Sequence, residues 1–327
     1  MQALRVERLS PDLSGVALAA LPMPHAAPDQ VLVRVRASSL NYPDLLMTRG
    51  EYQFKPEVPF TLGLELAGEV VSAPDGAGFS TGDRVMGGAK TGGMADYAAV
   101  PASNLRRIPE SLSFTQAAAM GAAYSTAYTA LVEIGRLKPG QWVLVHGASG
   151  GVGLAACDLA KALGARVIAA THRADKADQI DSAVHPEAVI INTGRFRIEV
   201  DALTDGRLCD IVFDPVGGDV FDESTRCVAF GGQLQVIGFV SGRIPEIAVN
   251  IPLIKGFSVV GVRAGEYARR FPDRGKAIAA EIDALASAGR ITPHIDRTLP
   301  LARWREAFDA MAAGAIVGKV VLVPSGA

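Results

Sequence analysis

Apolar positions fall along the chain in two textures. From Ala3 to about Val100, short runs that alternate apolar and polar residues, such as Gln30-Val-Leu-Val-Arg-Val-Arg36, are separated by turn sequences like Pro74-Asp-Gly-Ala-Gly78 and Thr81-Gly-Asp83. A period of two places every second side chain on one face, so the pattern predicts half-buried strands and an antiparallel, partly open barrel. From Gln141 the runs become short and wholly apolar: Trp142-Val-Leu-Val145, Val167-Ile-Ala-Ala170, Ala188-Val-Ile-Ile191, Ile211-Val-Phe213, Leu234-Gln-Val-Ile237 and Ser258-Val-Val-Gly-Val262. Ala-rich helical segments separate them. Strands with no polar face are covered on both sides, which predicts a doubly wound parallel sheet. Beyond about Arg263 come amphipathic stretches at Arg274 to Ala288 and Leu301 to Ala313, then a closing strand, Gly318-Lys-Val-Val-Leu-Val323. No further strand–helix unit follows, so this tail is expected to return to the first domain. The expectation is an α/β chain with domains at 1–122 and 123–262, and a return to the first over 263–327.

A length of 327 residues suits two domains. Apolar residues make up 49% and charged residues 20%, the balance of a globular chain with an ample core. The 32 Lys and Arg against 34 Asp and Glu leave a net charge of −2, so no positive field gathers nucleic acid or an acidic membrane. Cys157, Cys209 and Cys227 have neither a disulfide framework's number nor zinc-knuckle spacing, and a reducing cytoplasm is the expected location. The start, Met1-Gln-Ala-Leu-Arg-Val-Glu-Arg8, is charged where an export signal is apolar. The uncharged stretch Ser111 to Val132 carries several hydroxyls and reads as core helix and loop, not as a membrane span.

The most informative string is Val143-Leu-Val-His-Gly-Ala-Ser-Gly-Gly-Val-Gly-Leu-Ala-Ala156, a buried strand that breaks into glycines and opens a helix. That context belongs to the dinucleotide fingerprint. Gly150 lets the backbone approach a pyrophosphate, Gly153 lets the helix pack on the strand, and the helix start around Ser149, Gly151 and Val152 offers free N–H groups. Ala148 stands where the fingerprint has its first glycine. One strand later an NAD enzyme tends to place an acid on the ribose 2′-hydroxyl, but here the sequence is Thr171-His-Arg-Ala-Asp-Lys176. Arg173 and Lys176 suit a 2′-phosphate, with His172 beside them, so NADPH is the expected cofactor. Asp175 keeps open a plain solvated helix start.

Taken together, Ala148-Ser-Gly-Gly-Val-Gly153, Ser38-Ser-Leu-Asn-Tyr-Pro-Asp44, Gly63-Leu-Glu-Leu-Ala-Gly-Glu-Val70, Gly82-Asp-Arg-Val85 and Gly318-Lys-Val-Val-Leu322 resemble, in order and across the chain, the zinc-independent quinone oxidoreductase (zeta-crystallin-like) branch of the medium-chain dehydrogenase/reductases. The resemblance implies a GroES-like catalytic domain around a Rossmann domain. Zinc dehydrogenases of that superfamily carry a catalytic cysteine near Asn41, a Gly-His-Glu at the position of Gly63-Leu64-Glu65, and a four-cysteine lobe. This chain has leucine for that histidine and no cysteine before Cys157, so a tetrahedral zinc site lacks its donors. The histidines other than His172 are expected to be structural.

The resemblance further implies that Asn41 lies beside the nicotinamide ribose or carboxamide, with a turn-forming asparagine as its alternative. Tyr52 matches a tyrosine near the substrate cleft and is expected either to donate to a developing oxyanion or to be a packed aromatic. Tyr42 shares its loop, and Leu46 replaces a tyrosine of some relatives. Thr126 matches a threonine that approaches the nicotinamide. Gly238 and Phe239 match the segment passing the carboxamide, in line with the rule that ligands bind at the carboxyl ends of parallel strands. Lys319 either closes over the cofactor or is a surface lysine. Thr193 stands where relatives often carry a tyrosine over the 2′-phosphate.

The implied activity is metal-free hydride transfer from NADPH to a quinone or an α,β-unsaturated carbonyl. An alternative is an enoyl-thioester reductase, for which Arg263, Arg269 and Arg270 are the candidate phosphate contacts. A third reading is a nucleotide-holding structural or RNA-associated protein, which the near-neutral charge disfavours. Since Ser258 to Val262 ends the sheet as an apolar open edge, a homodimer is expected.

Overall fold

The computed structural model describes residues 1–325, and two compact units divide the chain. The first comprises Met1–Gly121 and the segment from Ile295 onward; the second is Ala122–His294. Strands β1 (Gln2–Val6), β2 (Val16–Ala20), β3 (Gln30–Ser39), β4 (Phe60–Thr61), β5 (Glu65–Ser72), β6 (Arg84–Gly87), β7 (Tyr97–Pro101) and β8 (Leu105–Arg107) precede the second unit. Its own strands are β9 (Trp142–Val145), β10 (Arg166–Thr171), β11 (Ala188–Ile191), β12 (Cys209–Asp214), β13 (Val228–Val236) and β14 (Ser258–Gly261), after which β15 (Ile295–Pro300) and β16 (Lys319–Val323) complete the first.

In the first unit, β2-β1-β4 form a small antiparallel sheet. A larger sheet runs β15-β16-β3-β5-β6-β8, with β7 also paired to β3. The alternation read in β3 holds at Val31, Val33 and Val35, which are buried with Leu66, Val70, Val85, Ala98 and Val100. It fails at Ala37, Ser38 and Ser39, which are all buried. There β3 runs between β5 and β16, and the hydroxyl of Ser38 donates to the Glu65 carbonyl at 2.7 Å, so the polar atom is satisfied inside. Helix α1 (Tyr42–Arg49) follows, with Pro43 in its first turn and Gly50 closing it at φ +73°.

The second unit is a six-stranded parallel sheet in the order β11-β10-β9-β12-β13-β14. Chain order thus reverses between β9 and β12, the place where open α/β sheets bind ligands beyond their carboxyl ends. All four residues of β9 are buried, as their continuous apolar run requires. β13 starts well before Leu234, because Gly231 and Gly232 break the apolar pattern of a strand that nonetheless continues. Helix α2 (Phe114–Tyr128) passes into a π-helical stretch, Thr129–Ile134. Such a turn frees backbone carbonyls, and the Gln235 amide on β13 donates to Ala130 O at 2.7 Å.

The return to the first unit comes at Ile295, not at residue 263. Helices Ala264–Arg270 and Pro272–Ser287 stay in the second unit because their polar side chains are bound there: Tyr267 donates to Glu133 at 2.9 Å, and Arg274 pairs with both Glu133 and Glu281. Glu281 also accepts the Tyr128 hydroxyl.

At the start of helix α3 (Gly151–Ala162), a Cβ on Gly153 would stand 2.3 Å from the Gly147 carbonyl oxygen. Backbone fills that space, so Gly153→Ala forces α3 away from β9. The expected loss is about 1–3 kcal/mol, read by chemical denaturation; an unchanged midpoint would contradict the crowding.

Candidate functional site

In the second unit, β9 ends at Val145 and the chain turns through Gly147, whose φ of +57° is the left-handed step that enters α3. Ala148 is fully buried and donates its N–H to Ala170 O, so the missing first glycine of the fingerprint is replaced one residue earlier. Gly147 is a site residue that the spacing alone did not mark. Gly150 caps α3 and its N–H bonds Gly147 O at 2.8 Å, while the first bond along the helix runs from Leu154 N to Gly150 O. The first-turn N–H groups of Gly151, Val152 and Gly153 therefore carry no helical bond and keep the partial positive charge of a helix start. Ser149 is half-buried beside them and Gly150 is exposed. This cradle fits a dinucleotide pyrophosphate, since Gly150 puts no side chain over the open N–H groups and Gly153 lets α3 start hard against the turn at Gly147.

At the tip of β10 the expected 2′-phosphate group is only partly ready. His172 is exposed. Arg173 donates through Nε and Nη2 to the Asp175 carboxylate at 2.8 and 2.7 Å, and its backbone N–H bonds Thr171 Oγ1. Lys176 is 5% exposed, buried rather than reaching into solvent as the sequence suggested, because the turn Ala174–Lys176 folds it inward. Thr193, in place of an aromatic, is exposed.

His146, next in the chain after β9, is fully buried and faces Asn192 Nδ2 at 3.0 Å and Ser224 Oγ at 2.8 Å. Ser224 donates onward to Val220 O. Burial pushes its pKa down to about 3, so the imidazole is neutral and ties strand tips together. Across the sheet, Asp214 accepts the N–H groups of Val216 and Gly217 at 2.8 and 3.0 Å and shapes the β12 tip. Gly238 and the 40% exposed Phe239 continue β13 next to it, and a Cβ on Gly238 would lie 3.3 Å from Pro215 O. On α2, the Thr126 hydroxyl donates to Ala122 O at 2.8 Å, which leaves its oxygen lone pairs for a ligand.

The first unit gathers a buried polar cluster. Lys319 begins β16 at 6% exposure, and is not a surface lysine. Its ammonium donates to Asn41 Oδ1 at 2.6 Å and Leu40 O at 3.3 Å and lies 3.6 Å from Glu65 Oε2. Asn41 in turn donates through Nδ2 to Glu65 Oε2 at 2.8 Å and Ser39 O at 3.3 Å. Both amide hydrogens are thereby engaged, and the Asn41 oxygen keeps one lone pair. Asn41 also precedes α1, so its turn-forming role and its place in the cluster coincide. A Cβ on Gly121 would sit 2.5 Å from Glu65 Oε1, so only glycine there lets the carboxylate lie where it does.

Asp44, fully buried, accepts the backbone N–H of Asn41 at 2.9 Å and of Gly63 at 3.2 Å, joining the loop before α1 to the loop before β5. The sequence reading named neither Glu65 nor Asp44 as a site residue. The available signal was an acid inside the apolar run Gly63-Leu-Glu-Leu-Ala-Gly68, and the three-residue spacing from Asn41 to Asp44. Tyr52 packs half-buried against the core of Leu4, Leu40, Phe60 and Phe308, and its hydroxyl has no protein hydrogen bond among the described residues.

Zinc does not fit this donor set. Among the described residues no three His, Cys, Asp or Glu side chains converge as a metal requires. The positive charge in the cluster is the Lys319 ammonium, which opposes a second cation. No helix among the described residues is long and apolar enough to cross a membrane.

Burial pushes the Asp44 pKa up to about 7, against the lowering effect of its two N–H bonds and of Lys319. A carboxyl that is harder to ionise folded than unfolded binds more protons in the native state between about pH 4 and 7. Stability therefore falls as pH rises through that window, by up to about 1.4 kcal/mol per unit. Denaturation midpoints across pH 4 to 8 should show this decline in the parent chain and not in Asp44→Asn; parallel profiles would refute it.

The chain matches the alcohol dehydrogenase GroES-like domain over residues 27–110 and the family described as zinc-binding dehydrogenase over residues 151–284. It is 38% identical to a quinone oxidoreductase-like protein 2 homolog of Nematostella vectensis, over 90% of this chain and 81% of that one. Among solved structures, a probable oxidoreductase from Mycobacterium abscessus superposes with a TM-score of 0.91 at 36% identity over 99% of each chain. A mycobacterial protein solved with NADPH gives 0.89 at 28% identity, over 99% of this chain and 100% of that one. With its parallel nucleotide sheet, its GroES-like antiparallel unit and these relatives, the chain belongs to the quinone oxidoreductase branch of the medium-chain dehydrogenase/reductase superfamily and is an oxidoreductase of nicotinamide-cofactor type.

Proposed function

We propose that this protein is an NADPH-dependent reductase of quinones or α,β-unsaturated carbonyls that works without a metal. The observation that carries the reading is the Lys319–Asn41–Glu65 cluster, an organic cation with its hydrogen-bonded amide in the region where zinc dehydrogenases have metal ligands. When bound, the reduced nicotinamide supplies the hydride. The free N–H groups of Gly151 and Val152 hold its pyrophosphate. In the first unit, Lys319 and Glu65 hold the Asn41 amide in place, which makes its oxygen a fixed acceptor for a ligand hydroxyl or amide N–H. Conjugated acceptors need little Lewis acid: the oxyanion formed requires only a hydrogen-bond donor and a proton, for which the unpartnered Tyr52 hydroxyl is suited.

The thioester alternative would draw on Arg269 and Arg270, which share the single carboxylate of Glu266 at 2.5 and 2.8 Å. RNA is disfavoured by the net charge of −2. Three free, buried cysteines suit a reducing cytoplasm. NADPH oxidation should be seen with a panel of quinones and alkenals and should survive a strong zinc chelator. Turnover on none of them would sink the activity, and loss under chelation would sink its metal independence.

We also propose a homodimer through β14. Among the described residues that strand pairs only with β13, and nearby Phe230, Val249, Leu253 and Ile254 are 89, 83, 80 and 76% exposed. An open apolar edge of this kind invites a second copy. Light scattering should give twice the 34.1 kDa chain mass, and Leu253→Asp should return it to one; a monomeric parent chain would remove the proposal.

A further inference from the structure

We infer that Asp175 is a specificity-setting residue: its ion pair with Arg173 competes with a 2′-phosphate, so that the chain accepts both NADPH and NADH instead of NADPH alone. This rests on the nucleotide reading above and goes beyond it, because that reading took Arg173 as simply available.

The pair is bidentate, Nε and Nη2 to the two carboxylate oxygens at 2.8 and 2.7 Å, and it spans only two residues. Its base is fixed. The Arg173 N–H is held by Thr171 Oγ1 at the end of β10, and the Lys176 N–H bonds Arg173 O, so the turn that brings Asp175 back onto the guanidinium is itself hydrogen-bonded. The two side chains are 39 and 61% exposed, so a ligand reaches both.

An exposed pair is weak enough to open. A phosphate dianion outcompetes a carboxylate for a guanidinium fork because it carries more charge on the same geometry. After that exchange Asp175 stays within two residues of the phosphate and repels it. With no 2′-phosphate the pair remains closed, and the outer lone pairs of Asp175 accept a ribose 2′-hydroxyl, the contact an acid makes in NAD enzymes. The second cation expected here, Lys176, is buried, and its charge acts on Asp175 from within the turn, favouring the carboxylate. Each cofactor thus finds one favourable partner and one neutral or opposing one.

Calorimetric titration of the full chain with adenosine 2′,5′-diphosphate and with AMP, which differ only in the 2′-phosphate, isolates this contact from catalysis. The parent should bind the two fragments with affinities within roughly tenfold, the size of one exchanged surface ion pair. Asp175→Asn should tighten the 2′,5′-diphosphate roughly three- to tenfold and leave or weaken AMP. In an Arg173→Gln background that gain should shrink, because no pair is left to release and only the repulsion between Asp175 and the phosphate is relieved. Equal shifts for both fragments, no shift at all, or a gain undiminished without Arg173 would overturn the proposal while the reductase reading stood. Failure of the parent and Asp175→Asn to bind either fragment would remove the nucleotide site and this proposal with it.

Discussion

An ammonium group taken out of water must find an opposite charge and acceptors for its hydrogens, or the surrounding fold is penalised by several kcal/mol. Lys319 meets that demand with Glu65, Asn41 and a backbone carbonyl, and the arrangement of the first unit follows from it. Satisfying the ammonium draws together the start of β16, the end of β3 and the start of β5. It explains why Ser38 and Ser39 are buried at the end of a strand that alternates cleanly before them, and why Gly121 has no side chain beside Glu65. Replacing either member alone strands a charge in the interior, so the pair is a single constraint shared by three segments.

The second unit is governed by steric closeness instead of charge. Gly147 and Gly153 bring a helix start against a strand end, and the open N–H groups of α3 are the by-product of that closeness. Near its glycine turn the buried His146 is neutral, and the cysteines of this unit are buried. The first unit holds a fixed cation, a half-committed amide and a carboxyl that titrates near neutrality, and the second supplies a scaffold that meets anions with backbone.

Much of this was legible in the chain. The β9 and β11 runs coincide with the apolar strings Trp142 to Val145 and Ala188 to Ile191; β9 is buried throughout, as such a run requires, while β11 is a half-buried edge strand. The glycine turn was legible as context, strand before and helix after, though its first step was taken by Gly147 and not at position 148. What escaped was whatever depends on distant partners. Lys319 and Glu65 read separately as an ambiguous lysine and an acid in an apolar run; only folding brings them within reach. The helices from Ala264 to Ser287 were given to the wrong unit because amphipathicity reports that a face is buried and not against what. Arg173 was seen and Asp175 noted, but their mutual bond depends on the geometry of a tight turn.

Because the second unit is inserted between β8 and β15, the first is written in two instalments. A ribosome adding about 5–20 residues per second completes the whole nucleotide sheet before β16 exists. During that interval the inner edge of β3 lacks its last neighbour and Glu65 has no countercharge. The nascent chain therefore carries an unfinished antiparallel sheet alongside a finished Rossmann sheet, and the strand that later pairs with β3 delivers the neutralising cation as its first residue.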